Sequence, residues 1–150
     1  MIDGKKFSLI SEFEATQALP PHPNIANYEA VYQYQMANGM FDYAIMQFYD
    51  EDNLKQLLQN NVLNNKQKSD IVNGLIEGIS YLHRYKIIHR DIKPSNIMIV
   101  KDPLGKFIPK IADFGLSRFV DNDASFMTNS FGGGTLEYSS PEQLYCKPLK

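Results

Sequence analysis

The chain has one cysteine, no apolar run long enough to cross a membrane, and no surplus of either charge across its 150 residues. Each absence removes a class of function. A lone Cys146 cannot close an internal disulfide and has no companion at zinc-site spacing, which points to a reducing compartment. Residues 1–20 mix Asp3, Lys5, Lys6, Glu12 and Glu14 with apolar residues and hold no signal-peptide core; no other stretch reaches the ~18 apolar residues of a membrane helix. A formal net charge of −2, with acids and bases interspersed, leaves no basic stripe for nucleic acid or anionic lipid. The composition therefore predicts a soluble, cytoplasmic protein that engages neither nucleic acid nor membrane. The 43% apolar content supports a real core, and no repeat or Pro/Gly/Ser-rich linker divides the chain, so it reads as one domain or a piece of one.

Periodicity supplies the coarse elements. Phe7 to Leu19 carries Phe7, Ile10, Phe13 and Ala18 among polar residues and stops before Pro20-Pro21, as a short helix would. Ala26 to Tyr34 and Phe41 to Phe48, rich in Tyr, Val, Ile and Phe, predict two strands joined through Ala37-Asn38-Gly39. Lys66 to Tyr85 places Ile71, Leu75, Ile79 and Leu82 on one face of a long helix. Ile97 to Val100 and Phe107 to Ala112 predict a second strand pair turned at Asp102-Pro103-Leu104-Gly105. Asp121 to Gly134 is polar, small and glycine-rich, a long surface loop of the kind that usually carries function.

The decisive stretch is His89-Arg90-Asp91-Ile92-Lys93-Pro94-Ser95-Asn96, followed by Asp113-Phe114-Gly115. Phosphoryl transfer from ATP needs a carboxylate to orient the attacking hydroxyl, a cation on the moving phosphate, and oxygen ligands for magnesium. Magnesium prefers hard oxygen donors, and a carboxylate with a carboxamide supplies part of its shell while phosphates and waters complete it. Asp113 and Asn96 suit that task. Either three-residue string alone occurs by chance; about a dozen positions in order across roughly fifty residues do not.

In order and spacing these motifs resemble the eukaryotic-type protein kinase superfamily, of the serine/threonine kind. The resemblance implies an α+β, two-lobe fold: residues 1–48 a remnant of the small lobe from regulatory helix through hinge strand, residues 49–150 the first part of the large lobe through the activation segment, with ATP between them. It makes Asp91 the residue that accepts or orients the substrate hydroxyl proton and sets Lys93 on the transferring phosphate. Asn96 and Asp113 would hold Mg2+, Phe114 would pack behind the site near His89, and Met98 would lie under the adenine. Met46-Gln47-Phe48-Tyr49 matches gatekeeper and hinge, where the backbone at Gln47 and Tyr49 receives adenine. Counting back from Pro21-His22-Pro23-Asn24-Ile25 puts Glu12 at the helix glutamate that pairs with the ATP-binding lysine, with Glu14 the alternative register. Lys93 with Thr135 favours serine/threonine over tyrosine specificity. Gly134-Thr135-Leu136-Glu137-Tyr138-Ser139-Ser140-Pro141-Glu142 resembles the end of the activation segment, with Ser140 where the family usually has alanine. Arg90 beside Asp91 resembles kinases switched by loop phosphorylation, with Ser125, Thr128 and Ser130 as candidate sites. His22 reads as a structural turn residue, and His83 and Cys146 receive no role.

Against the same pattern, no G-x-G-x-x-G occurs, Lys5 and Lys6 stand too close to Glu12 to be the ATP-binding lysine, and the chain ends eight residues after Glu142. The expectation is a domain truncated at both ends. In such a fragment Glu142 would lack a buried arginine partner, and the apolar face of the long helix would be left for a partner protein or flanking sequence to cover. Two other readings stay open: a pseudokinase-like binding module, and a small-molecule phosphotransferase of similar fold, which the activation-segment motif disfavours.

Overall fold

The computed structural model describes residues 17–49, 51–113, 118–119 and 135–144; of residues 42, 118, 119, 142 and 143 it describes the backbone alone. The elements run β1 (Tyr28–Met36), β2 (Gly39–Met46), α1 (Leu54–Gln59), α2 (Asn65–Arg84), β3 (Ile87–Ile88), β4 (Ile97–Lys101), β5 (Phe107–Ile111), β6 (Arg118–Phe119) and α3 (Pro141–Leu144), with 3-10 turns at Pro94–Asn96 and Leu136–Tyr138. The strands form three antiparallel pairs, β1–β2, β3–β6 and β4–β5. The architecture is α+β, as the motifs imply. The expected helix Phe7 to Leu19 lies almost wholly outside the described residues.

Local chemistry explains where the elements start and turn. Both α1 and α2 open with a reciprocal asparagine–glutamine capping box. The Asn53 side chain accepts from the Gln56 amide at 3.1 Å while Gln56 Oε1 accepts from the Asn53 amide at 3.2 Å. Asn64 and Gln67 repeat the arrangement, both bonds at 2.9 Å. Each box satisfies amides that the first helical turn leaves without partners. The β4–β5 turn is held by Asp102, whose Oδ1 accepts from the amides of Leu104 and Lys106 at 2.9 and 2.8 Å. Gly105 then takes φ +80°, a conformation that costs glycine little.

The core forms where α2 lies on β5 and α1 packs against β4. Ile71 and Leu82 of α2 bury with Ile97, Ile99, Phe107 and Ile111, and Leu75 and Ile79 pack against that cluster. Ile99 and Ile111 are fully buried, each a contribution of about 1.5–3 kcal/mol. This corrects one expectation. The Ile71–Leu75–Ile79–Leu82 face does not wait for elements beyond the chain, because β5 and the cluster it shares with β4 cover it. The exposed apolar residues of α2 are instead Val72 and Ile76, one turn apart on a different side.

Two glycines make that packing close. A Cβ on Gly74 would stand 2.7 Å from Asn24 Nδ2 and 2.7 Å from the Pro109 ring, and one on Gly78 would stand 2.9 Å from Ile111 Cδ1. Buried Asn24 is wedged there, donating through Nδ2 to the Pro109 carbonyl at 3.0 Å. Its own carbonyl accepts from the Ile111 amide, and the Ile111 carbonyl accepts from Ala26, both at 2.9 Å. The Pro-His-Pro-Asn turn is thereby stitched to the strand that leads into Asp113.

Candidate active site

Lys93 begins the 3-10 turn Pro94–Asn96, in which the Asn96 amide donates to the Lys93 carbonyl at 2.9 Å. This tight turn folds the Asn96 side chain back onto Asp91. Asn96 Nδ2 donates to the Asp91 carbonyl and to Asp91 Oδ2, both at 2.9 Å. Lys93 Nζ reaches the same Oδ2 at 3.3 Å and donates to Thr135 Oγ1 at 2.6 Å. Asp91 and Asn96 are buried, so these bonds operate where water competes poorly.

One oxygen on each of the two side chains is left over. Among the described residues nothing donates to Asp91 Oδ1 or to Asn96 Oδ1, although both side chains are buried. A buried acceptor without a donor is costly, and such groups mark places where a ligand or ion belongs.

His89 holds the loop to the strand behind it. Its Nδ1 accepts from the Asp91 amide at 3.2 Å, which places the ring proton on Nε2, and Nε2 donates to the Ala112 carbonyl at 2.9 Å. Burial pushes the His89 pKa below 6.5, opposed by the Ala112 carbonyl and the nearby carboxylates of Asp113 and Asp91. The neutral ring makes both bonds; an imidazolium would lose the one to Asp91. The Ala112 amide donates to the Asn96 carbonyl at 2.9 Å, closing a frame from catalytic loop to Asp113. Arg90 and Asp113 adopt left-handed backbone, φ +69° and +59°, which non-glycine residues accept only when their surroundings impose it.

The structure brings most of the expected site residues together. Tyr49 is buried with Ala26 and Ala112, and Met46, Met98 and Val100 pack against them, so the segment expected to form the hinge, Met98 and the approach to Asp113 share one apolar cluster. That burial raises the Tyr49 pKa. Gln47 and Phe48 are exposed on the stretch just before it. Thr135, forty-two residues from Lys93, is joined to it directly. Glu12, Glu14, Phe114, the loop serines and threonine Ser125, Thr128 and Ser130, and Cys146 lie outside the described residues, as does the side chain of Glu142. The sequence reading missed His89 as the tie between the two motifs and Asn24 as the wedge behind them. Their only signal is position: His89 opens the motif, and Asn24 ends the Pro-His-Pro-Asn turn.

Among the described residues no helix is long and apolar enough to cross a membrane, and no group of three or more His, Cys, Asp or Glu converges on a metal-sized space. Comparison with known proteins supplies the family. A protein kinase domain model matches residues 2–150. The chain is 33% identical over 171 residues to the interferon-induced, double-stranded RNA-activated protein kinase of Mus musculus, covering 97% of this chain and 32% of that protein. It is 38% identical over 103 residues to the probable serine/threonine-protein kinase PknB of Bifidobacterium longum, covering 67% and 14%. It is also 48% identical over 86 residues to cysteine-rich receptor-like protein kinase 1 of Arabidopsis thaliana, covering 55% and 13%. The chain thus spans a third or less of the length of these relatives. With the segment 89–96, the strand before Asp113 and Thr135 joined in one frame and the family match running through nearly all of its length, the chain belongs to the protein kinase family.

Proposed function

We propose that the chain carries the phosphoryl-transfer machinery of a protein serine/threonine kinase, moving the γ-phosphate of ATP to a hydroxyl of a protein substrate. The observation that carries this reading is the shared Asp91 Oδ2. Asn96 and Lys93 together fix one carboxylate oxygen, which leaves Oδ1 to accept the proton of an incoming hydroxyl. Lys93 is held between Asp91 and Thr135, where its ammonium would meet the transferring phosphate and where Thr135 supports a serine or threonine substrate.

The donor set fits magnesium. Asn96 Oδ1 is buried and receives no donor among the described residues, and Asp113 follows the last residue of the Ala112 frame. Asn96 and Asp113 would hold the ion, which when bound neutralises phosphate charge. Gln47 and Tyr49 would offer backbone groups to adenine, with Met98 beneath it, and Glu12 would pair with an ATP-binding lysine. In this reading residues 1–48 belong to the small lobe and 49–150 to the large one, and activity of the whole protein belongs to the same proposal.

Calorimetric titration of the 150-residue chain with magnesium-ATP tests it. Binding that weakens about tenfold or more in Asp113→Ala supports the reading. A folded chain that binds no nucleotide, or binds it equally well in both forms, overturns the site and favours the binding-module alternative. In a protein kinase assay, Asp91→Asn should cost at least about a hundredfold in turnover.

A further inference from the structure

On the side of α2 away from the core, the Pro-His-Pro-Asn turn overhangs the helix and leaves a pocket of about 280 Å³ between them, lined by His22, Ile76, Glu77, Ser80, Tyr81 and Arg84. None of these residues belongs to the catalytic frame. The floor is rigid: the His22 and Tyr81 rings stack at 4.5 Å, Tyr85 leans on Tyr81 at 4.9 Å, and the Tyr81 hydroxyl donates to the Pro20 carbonyl. The Asn24 amide donates to His22 Nδ1 at 3.1 Å, so the ring proton sits on Nε2, a donor with no acceptor among the described residues.

The rim is charged. Glu77 and Arg84 are exposed, and among the described residues neither enters an ion pair. Both lie within electrostatic reach of His22, as does Lys110, whose ammonium donates to the Pro23 carbonyl at 2.9 Å. Arg84 and the His22 Nε2–H give the pocket two donors for an anion beside the one carboxylate of Glu77. The apolar share comes from Ile76, 58% exposed, and the Tyr81 ring. The volume falls at the small end for ligand sites, room for one side chain and not for a nucleotide.

We propose that this pocket anchors a partner peptide bearing an aliphatic side chain with a carboxylate close by: the side chain seated on Ile76 and Tyr81, the carboxylate bridging Arg84 and the His22 Nε2–H. An aromatic-and-arginine pocket of this kind is the usual form of an interface anchor. The inference is independent of the catalytic reading, because the pocket's lining shares no residue with the set that holds His89, Asp91, Lys93 and Asn96.

The probe is a panel of acetylated, amidated pentapeptides with a leucine and an aspartate one, two or three positions apart in glycine, each matched by an asparagine version. Titration into the labelled 150-residue chain is followed by amide chemical shifts. At least one aspartate peptide should shift the amides of residues 22, 80, 81 and 84 with a Kd near or below about 1 mM. Its asparagine partner should bind about fivefold more weakly, and Arg84→Glu should abolish the difference. Arg84 is on the exposed rim, so magnesium-ATP affinity of the Arg84→Glu chain should stay as it is in the parent chain. No binding by any peptide at about 5 mM, equal binding of aspartate and asparagine versions, or shifts confined to other residues would overturn the proposal.

Discussion

The β1–β2 and β4–β5 hairpins are both antiparallel, both rich in large apolar residues and both turned beside a glycine of positive φ, yet one is bare and the other sealed. In β4–β5 the alternate residues Ile97, Ile99, Phe107, Pro109 and Ile111 are buried, β5 beneath α2 and β4 against α1. In β1–β2 the alternate residues Tyr32, Tyr34, Met36, Phe41, Tyr43 and Ile45 line one face through the pairs Tyr32 with Tyr43 and Tyr34 with Phe41, and all six are exposed. Alternation identifies which face is apolar; it carries no information about what covers that face. A second element settles the matter for β4–β5, because glycines at 74 and 78 let α2 and Asn24 close on it.

The largest predicted effect tests that contrast directly. Ile99→Ala should cost about 2–5 kcal/mol in chemical denaturation, the price of a cavity in a sealed cluster. Tyr43→Ala should cost about 1 kcal/mol or less, because only cross-strand contact is lost. Equal losses at the two positions would show that the β1–β2 face is covered in solution, and the comparison would fail.

Gly74→Ala sharpens it at intermediate size. On an exposed helix the change would stabilise by up to about 1 kcal/mol through helix propensity. Here the new methyl meets the Pro109 ring and the buried Asn24 amide at 2.7 Å, and a rigid ring cannot swing aside, so a net loss of about 1–3 kcal/mol is expected. Gly39, at the β1–β2 turn, presents the opposite case: no atom lies within 4 Å of its Cβ, and only its φ of +141° resists substitution. A Gly74→Ala chain at least as stable as the parent would mean that α2 does not press on β5 as described.

These residues also show what pattern reading reaches. The long helix was placed within one residue at each end, Asn65–Arg84 against Lys66 to Tyr85, and both hairpins were found within two. Helix α1 was not, because six residues are too few for periodicity, although its Asn53…Gln56 capping box was in plain view. The cover of α2 was misjudged because it depends on contacts between residues far apart, Gly74 with Asn24 and Pro109. The same holds at the site. Asp91, Lys93 and Asn96 are legible as a motif because they fall within one short stretch of sequence, whereas the bonds from His89 to Ala112 and from Lys93 to Thr135 exist only once the chain has folded.

The smallest predicted effect is a pH dependence on the sealed side of the comparison. His89 has its pKa held below 6.5 chiefly by burial, so in the window beneath 6.5 the unfolded chain takes up a proton that the folded chain refuses. Stability from this group is therefore fully present above pH 6.5 and is lost as pH falls toward the folded-state pKa. His22 is shifted in the same direction, again chiefly by burial, and adds to the slope. A His22→Gln chain isolates the His89 share, and ring carbon shifts read its titration. His89 should remain neutral while an exposed histidine standard titrates, and its protonation, when it comes, should move the Asp91 amide resonance, because Nδ1 can no longer accept from it. Titration at or above 6.5 with an unmoved Asp91 amide would show that the ring is neither dry nor tied to Asp91, and the frame joining His89, Asp91 and Ala112 would have to be abandoned.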